Sequence, residues 1–172
     1  MKQQIYALII LAASGVAFTA QGVDGNIHVT AKFVTPACNL QANSKDMTVP
    51  LGDVSSSELK TSGAVSATTA FSLKLTDCAA YTAVYISFDG VAAENHDKVF
   101  ALDDQGQSST ASGIGLEILS NGEAMPVGSA LNGAYTGSGD TTFNYAARYK
   151  ALENNTQSGN ANVTVQYNVV YK

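Results

Sequence analysis

Apolar and polar residues alternate along most of the chain, and this is the pattern of β-strands with one buried face. The segments with this period of two are residues 27–33, 47–51, 71–75, 84–88, 114–118, 143–149 and 161–171. Clusters of Gly, Ser, Asn, Asp and Thr separate them. At least seven short strands with turn signals between them predict an antiparallel β-sandwich.

The connections between these segments carry turn signals and little helix. Asn121-Gly122 lies between two apolar segments and predicts a tight hairpin. Ser55, followed three residues later by Glu58, predicts one short turn of helix. Residues 133–141 are rich in Gly, Ser and Thr and predict a loop. No repeat, linker or charge block indicates a second domain.

The N-terminal segment has a different pattern. Lys2 precedes a nearly continuous apolar run over residues 5–18, and small residues follow. This order is typical of a secretory signal peptide, and the run is short for a membrane span. Residues 20–22 have small side chains at both ends, so cleavage is predicted after Gly22. Cleavage after Ala20 is the competing site, and an uncleaved anchor is the alternative.

The chain has two cysteines, Cys38 and Cys78. In a secreted protein they meet an oxidising compartment, where an isolated pair usually forms a disulfide bond. The alternative is a redox or metal-binding pair. Their wide spacing and the lack of an accompanying His or Cys cluster argue against that alternative.

The net charge of the chain argues against some classes of binding partner. Removal of residues 1–22 takes away one lysine and no acid, so the formal net charge changes from −5 to −6. An acidic protein of this kind is not expected to bind nucleic acid or anionic membranes.

Residues suited to catalysis or metal binding are few. His28 and His96 are the only histidines, and each lies in a polar setting without ligand spacing or a triad pattern. Asp103-Asp104-Gln105-Gly106 lacks the alternating acids of a calcium loop, so a solvated turn is predicted. We therefore expect no enzyme activity and no cofactor. Several of the eight tyrosines lie on the apolar phase of strands, which favours core packing over a sugar-stacking patch.

Six runs of residues, taken together and in order, carry a family resemblance. They are residues 33–38, 49–54, 71–78, 143–149, 158–162 and 169–172, and the first and third end at the two cysteines. With this spacing the chain resembles the type 1 fimbrial pilins of the bacterial chaperone–usher pathway, and it is most similar to a major rod subunit. The resemblance covers essentially the whole chain after the signal peptide.

The resemblance implies an all-β fold, an incomplete immunoglobulin-like β-sandwich that lacks its last strand. A donor strand from a neighbouring subunit completes such a sandwich by lying in an apolar groove. The implied organisation is a signal peptide at residues 1–22, an N-terminal donor-strand arm at 23–33 and a pilin domain at 34–172. An ordinary first strand within its own domain is the alternative interpretation of the arm.

The resemblance also implies roles for individual residues. The donor strand would present Ile27, Val29, Ala31 and Phe33 to the groove of the neighbour. Ala31 stands where the family usually has glycine, so the arm departs from the family pattern there. The chaperone-binding and groove edge would comprise Gly159, Val163, Val165, Tyr167, Val169 and Tyr171. Gly159 is fourteenth from the end and Tyr171 is penultimate, and these two positions mark chaperone recognition in the family.

The implied partners are a periplasmic pilus chaperone, an outer-membrane usher, other copies of the chain and other pilus subunits. The implied location is an extracellular fimbria of a Gram-negative bacterium, reached through the periplasm, where the fibre supports adhesion. A minor adaptor or terminator subunit of the pilus and a small secreted lectin-like adhesin are the alternatives. A secreted hydrolase is disfavoured by the shortage of catalytic groups.

Overall fold

The fold is known from a computed structural model that describes residues 37–129 and 134–172. This part of the chain contains ten strands and one short helix. Their bounds are β1 Asn39–Leu40, α1 Ala42–Lys45, β2 Thr69–Cys78, β3 Ala83–Asp89, β4 Ala92–Ala93, β5 His96–Phe100, β6 Ile114–Ser120, β7 Glu123–Ala124, β8 Ala134–Tyr135, β9 Gly139–Ala151 and β10 Gln166–Tyr171. The helix is not long enough to cross a membrane.

The strands form two sheets with antiparallel pairing. The larger has the order β1-β2-β9-β6-β5-β4, and β7 adds to β6. The smaller has the order β10-β3-β8, which leaves β10 as an edge strand. The long strands β2 and β9 pair from Thr69↔Ala147 to Leu75↔Thr141, which is the longest pairing in the larger sheet.

The core lies where the apolar phases of the strands converge. Leu73 and Leu75 of β2, Phe88 of β3 and Phe100 of β5 are all almost inaccessible to solvent. The buried residues of β2 and β3 alternate with exposed or half-buried ones, as a strand with one buried face requires. The predicted antiparallel sandwich is therefore confirmed, and the strand patterns at 71–75, 84–88, 114–118 and 143–149 all lie within strands.

The predicted hairpin is also confirmed. Asn121 and Gly122 connect β6 to β7, with Ser120 paired to Glu123. Both residues have positive φ, 51° and 84°, as a type I′ turn requires.

Two other local predictions were wrong, the helical turn at residues 55–58 and part of the loop at 133–141. Residues 55–58 form a turn, closed by the Glu58 amide on the Ser55 carbonyl at 2.9 Å, but no helix. The helix α1 lies earlier in the chain, where the sequence carries no capping signal. Part of the predicted loop at 133–141 is instead β8 and the start of β9, because β3 and β2 offer those residues ladder partners.

The disulfide prediction is confirmed. Cys38 and Cys78 are bonded, with their Cα atoms 4.1 Å apart. Both are buried. Cys38 directly precedes β1 and Cys78 ends β2, so the bond ties the start of the described domain to the edge of the larger sheet.

An open-edged groove as the candidate functional site

A groove with a volume of about 760 Å³ lies beside the segment that leads into the edge strand β10. One wall is residues 47–54, called the first wall here, and the other is residues 156–165, called the second wall. Apolar side chains from both sheets line the floor between them; they are Leu59, Phe71, Leu73, Phe88, Ala111, Ile114, Leu116, Ile118, Ala147 and Tyr149.

The first wall pairs with no described strand. Met47, Val49 and Leu51 are half-buried and alternate with exposed Thr48 and Pro50, so the predicted period of two is present. The prediction of a paired strand was nevertheless wrong. Residues 46–54 make no backbone hydrogen bond with any other described residue. Within the part of the chain that the structure describes, this segment therefore offers backbone amides and carbonyls without partners, as the edge of a sheet does.

The second wall has the same property on its groove side. The predicted strand 161–171 is laddered only from Gln166 onwards, where it pairs with β3. Val163 and Val165 are half-buried at the groove, and their backbone groups bond to no other described residue. On both walls of the groove, therefore, backbone groups lack a partner among the described residues, and an apolar floor lies between the walls.

One end of the second wall is fixed by close backbone packing. Gly159 lies against the 109–111 backbone, so that a Cβ built on it would come within 2.4 Å of the Ala111 nitrogen. Adjacent hydrogen bonds hold this contact: the Ala111 amide donates to the Asn160 carbonyl at 2.9 Å, and the Asn160 amide donates to Ser109 at 2.8 Å. The hydroxyl of Tyr149, on the floor, donates to the carbonyl of Ala161.

An aromatic cluster packs beside the groove, and three of its members, Phe71, Phe88 and Tyr167, line it. Phe88 packs edge-on against Tyr145 with ring centroids 4.9 Å apart, and Phe71 and Tyr167 pack on either side. Burial raises the pKa of Tyr145 to about 12 and also raises that of Tyr149. These phenols therefore stay protonated in any physiological medium and serve packing. Of the other tyrosines, Tyr81 and Tyr135 are well exposed.

The structure brings most of the predicted groove-edge residues together. Gly159, Val163, Val165 and Tyr167 line the groove. Val169 and Tyr171 do not line it; they lie further along β10 and pack against the core. The predicted donor residues Ile27, Val29, Ala31 and Phe33 lie outside the described residues, as do the signal peptide and the arm.

Sequence reasoning missed the first wall, Leu59 and Ala111 as groove residues. The signal for the first wall was its alternation together with Pro50, which cannot donate a ladder hydrogen bond. Leu59 and Ala111 gave no signal, because they lie between strands and reach the groove only through the fold.

Outside the groove, the main charged cluster is built on Glu117. Its carboxylate is buried between Arg148 and Lys150, at 2.7 and 2.8 Å. Burial acts to raise the pKa of Glu117, but hydrogen bonds from Lys150 and Arg148 outweigh it and hold the pKa below its usual value. Among residues 37–129 and 134–172, no three His, Cys, Asp or Glu residues are placed to hold a metal ion.

The sequence is similar to those of known proteins over nearly its whole length. Residues 25–172 match the family described as fimbrial protein. The chain is 32% identical over its full length to a type 1 fimbrial subunit of Salmonella typhimurium, 97% of which is covered. It is 34% identical to a type 1 fimbrial subunit of Klebsiella pneumoniae, with complete coverage of both chains.

Solved structures give the same fold. The P pilus rod subunit PapA superposes with a TM-score of 0.67 at 21% identity, covering 79% of this chain and 99% of that one. A chain of a chaperone–usher pilus superposes with a TM-score of 0.69 at 19% identity, covering 91% of this chain and all of that one. The sandwich with an apolar groove and the match over nearly all of the sequence lead to one conclusion: the chain belongs to the fimbrial protein family.

Proposed function

We propose that the chain is a structural subunit of a fimbria, and that its groove receives the N-terminal arm, residues 23–33, of a neighbouring copy. The observation that carries this proposal is that, on both walls of the groove, backbone amides and carbonyls bond to no other described residue. An extended segment placed between them would complete hydrogen-bond ladders on both sides and cover the apolar floor. The fibre is extracellular and its partners are other pilus subunits.

The arm has the side chains that such a groove needs. Residues on one face of a strand repeat every second position, about 6.6–6.8 Å apart. Ile27, Val29, Ala31 and Phe33 have this spacing, as do Val163 and Val165 in the second wall. Each large apolar side chain that becomes fully buried contributes about 1.5–3 kcal/mol before the cost of ordering the arm. Ala31 fills the same face with a smaller group.

An apolar groove of this kind would need to be covered before assembly to prevent aggregation. An exposed apolar groove with free edges favours aggregation. We infer that a periplasmic chaperone covers it and that an outer-membrane usher exchanges the chaperone for the next arm. In this scheme Gly159 and Tyr171 lie at the two ends of the chaperone-binding edge, and residues 1–22 direct export to the periplasm and are removed.

The test of the proposed function uses the alternation of the arm. In Val29→Asp a charge enters the face that would be buried, whereas in Thr30→Asp the same charge enters the opposite face. Burying an unpaired carboxylate is strongly unfavourable, so Val29→Asp should abolish assembly and Thr30→Asp should preserve it. Assembly is measured as a ladder of oligomers on unboiled denaturing gels and as fibres by electron microscopy.

Two results would contradict the proposal. One is assembly of Val29→Asp at the rate of the unsubstituted chain. The other is loss of assembly in both variants, because a charge on the outward face should leave the donor face intact.

A further inference from the structure

The second wall continues past the end of its ladder neighbour. The pairing of β10 with β3 begins at Gln166↔Asp89, so residues 161–165 have no described strand beside them in the smaller sheet. Asp103 occupies that place. Its backbone amide donates to the Asn162 carbonyl at 2.8 Å. Its carboxylate accepts from the amide of Thr164 at 3.1 Å and from the hydroxyl of Thr164 at 2.8 Å.

These contacts set the orientation of the wall. In an extended chain the amide and carbonyl of one residue point to the same side, and successive residues alternate. Asn162 and Thr164 point toward Asp103. Val163 and Val165 therefore direct their backbone groups to the side away from Asp103, and both residues line the groove, as Asp103 itself also does. Asp103 thus acts as a one-residue substitute for the missing strand, because it donates and accepts as a ladder neighbour would.

We propose that Asp103 is a positioning residue for arm uptake: it holds residues 161–165 extended, with the edge of Val163 and Val165 presented before an arm arrives. This inference rests on the proposed function of the groove. Asp103 belongs to the turn that sequence analysis interpreted as solvated. The structure separates the two aspartates of that turn: Asp103 is half-buried and bonded to Thr164, whereas Asp104 is exposed.

The physical reason is pre-organisation. Hydrogen bonds to a carboxylate are stronger than those between neutral groups. Without them, residues 161–165 would populate other conformations, and only the extended fraction could pair with an arm. The apparent affinity for the arm falls in proportion to that fraction. A contact that only stabilised the fold would change the unfolding free energy and leave arm uptake by the folded subunit unchanged.

The experiment measures uptake of a fluorescent peptide of residues 23–33 by the secreted full chain, at concentrations too low for self-assembly. Loss of the carboxylate in Asp103→Ala is expected to reduce affinity about 10-fold, and loss of one hydroxyl in Thr164→Val about 3-fold. Asp103→Asn should recover most of the loss, because its amide oxygen still accepts from the Thr164 amide. Thr68→Val is the matched control, since Thr68 is also exposed and outside any strand but makes no side-chain hydrogen bond with a described residue.

The outcomes separate this inference from the function on which it rests. If the unsubstituted chain takes up no peptide, the proposed function fails and the inference fails with it. If it takes up peptide and both Asp103→Ala and Thr164→Val match it, only the role of Asp103 is overturned. If Asp103→Ala does not fold, Thr164→Val decides: weaker uptake than Thr68→Val supports the proposal, and equal uptake contradicts it.

Discussion

Gly159 packs so closely against neighbouring backbone that the fold has no room for a side chain there. From its position, fourteenth from the end, we predict a role in chaperone recognition. The structure shows an additional constraint within the subunit. A Cβ at Gly159 would lie 2.4 Å from the Ala111 nitrogen and 2.5 Å from the Thr110 carbonyl carbon. Both neighbours are backbone atoms, so no side-chain rotation can relieve the overlap.

Gly159→Ala is therefore expected to destabilise the folded subunit by about 1–3 kcal/mol, the usual cost of forcing extra volume into a packed site. The measurement is the free energy of unfolding in guanidinium chloride. Gly137→Ala is the control, because a Cβ added there would meet no described atom within 4 Å and the substitution should be nearly neutral. Equal stabilities for the two variants would contradict the packing constraint at Gly159.

At the scale of elements, the sequence predicted the strands that find a partner within the chain. Alternation located β2, β3, β6 and β9, because their buried faces and their ladders are both satisfied by the same domain. It failed for residues 47–51 and for 161–165. These segments have the side-chain pattern of strands. Strand pairing also needs a partner strand, and the alternation within one segment does not show whether a partner is present. Both segments line the groove, where the alternation predicts strands that the described residues do not pair.

The pairing state of the second wall can be followed residue by residue. The Thr164 amide is bonded to Asp103, so it should resist hydrogen exchange in the unassembled and the assembled chain alike. The amides of Val163 and Val165 have no described partner and should become protected only on assembly, when an arm pairs with them. Site-resolved hydrogen exchange of both states measures this alternation. Protection of all three amides before assembly would contradict an open edge.

For the whole molecule, the two sheets are stabilised mainly by apolar packing, and Glu117 adds a charged link within the larger sheet. It joins β6 to β9 through Arg148 and Lys150, whose side chains are partly exposed. Single-sequence reasoning could not find this cluster. Glu117 occupies the outward phase of a strand, where a solvated carboxylate is the ordinary expectation, and its burial depends on residues that lie far along the chain.

The cluster predicts how global stability depends on pH. The pKa of Glu117 is lowered in the folded chain below its usual value of 4.5. A carboxyl with a depressed folded pKa stabilises the fold fully above its unfolded pKa, and this contribution is lost as the pH falls through the folded pKa. Glu117→Gln should therefore cost about 1–3 kcal/mol at pH 7, since it removes the charged partner of Arg148 and Lys150. The difference from the unsubstituted chain should shrink as the pH falls below about 4.

Guanidinium unfolding between neutral and acidic pH, with both chains in the same assembly state, measures that difference. Lys74–Asp140 is present in both chains, so its own pH dependence cancels in the comparison. Glu123→Gln is the matched control, because Glu123 is exposed on β7 and forms no ion pair with a described residue. It should match the unsubstituted chain throughout. A constant loss of stability in Glu117→Gln at every pH would mean that the side chain contributes through packing, because a charge contribution must disappear once the carboxylate is protonated.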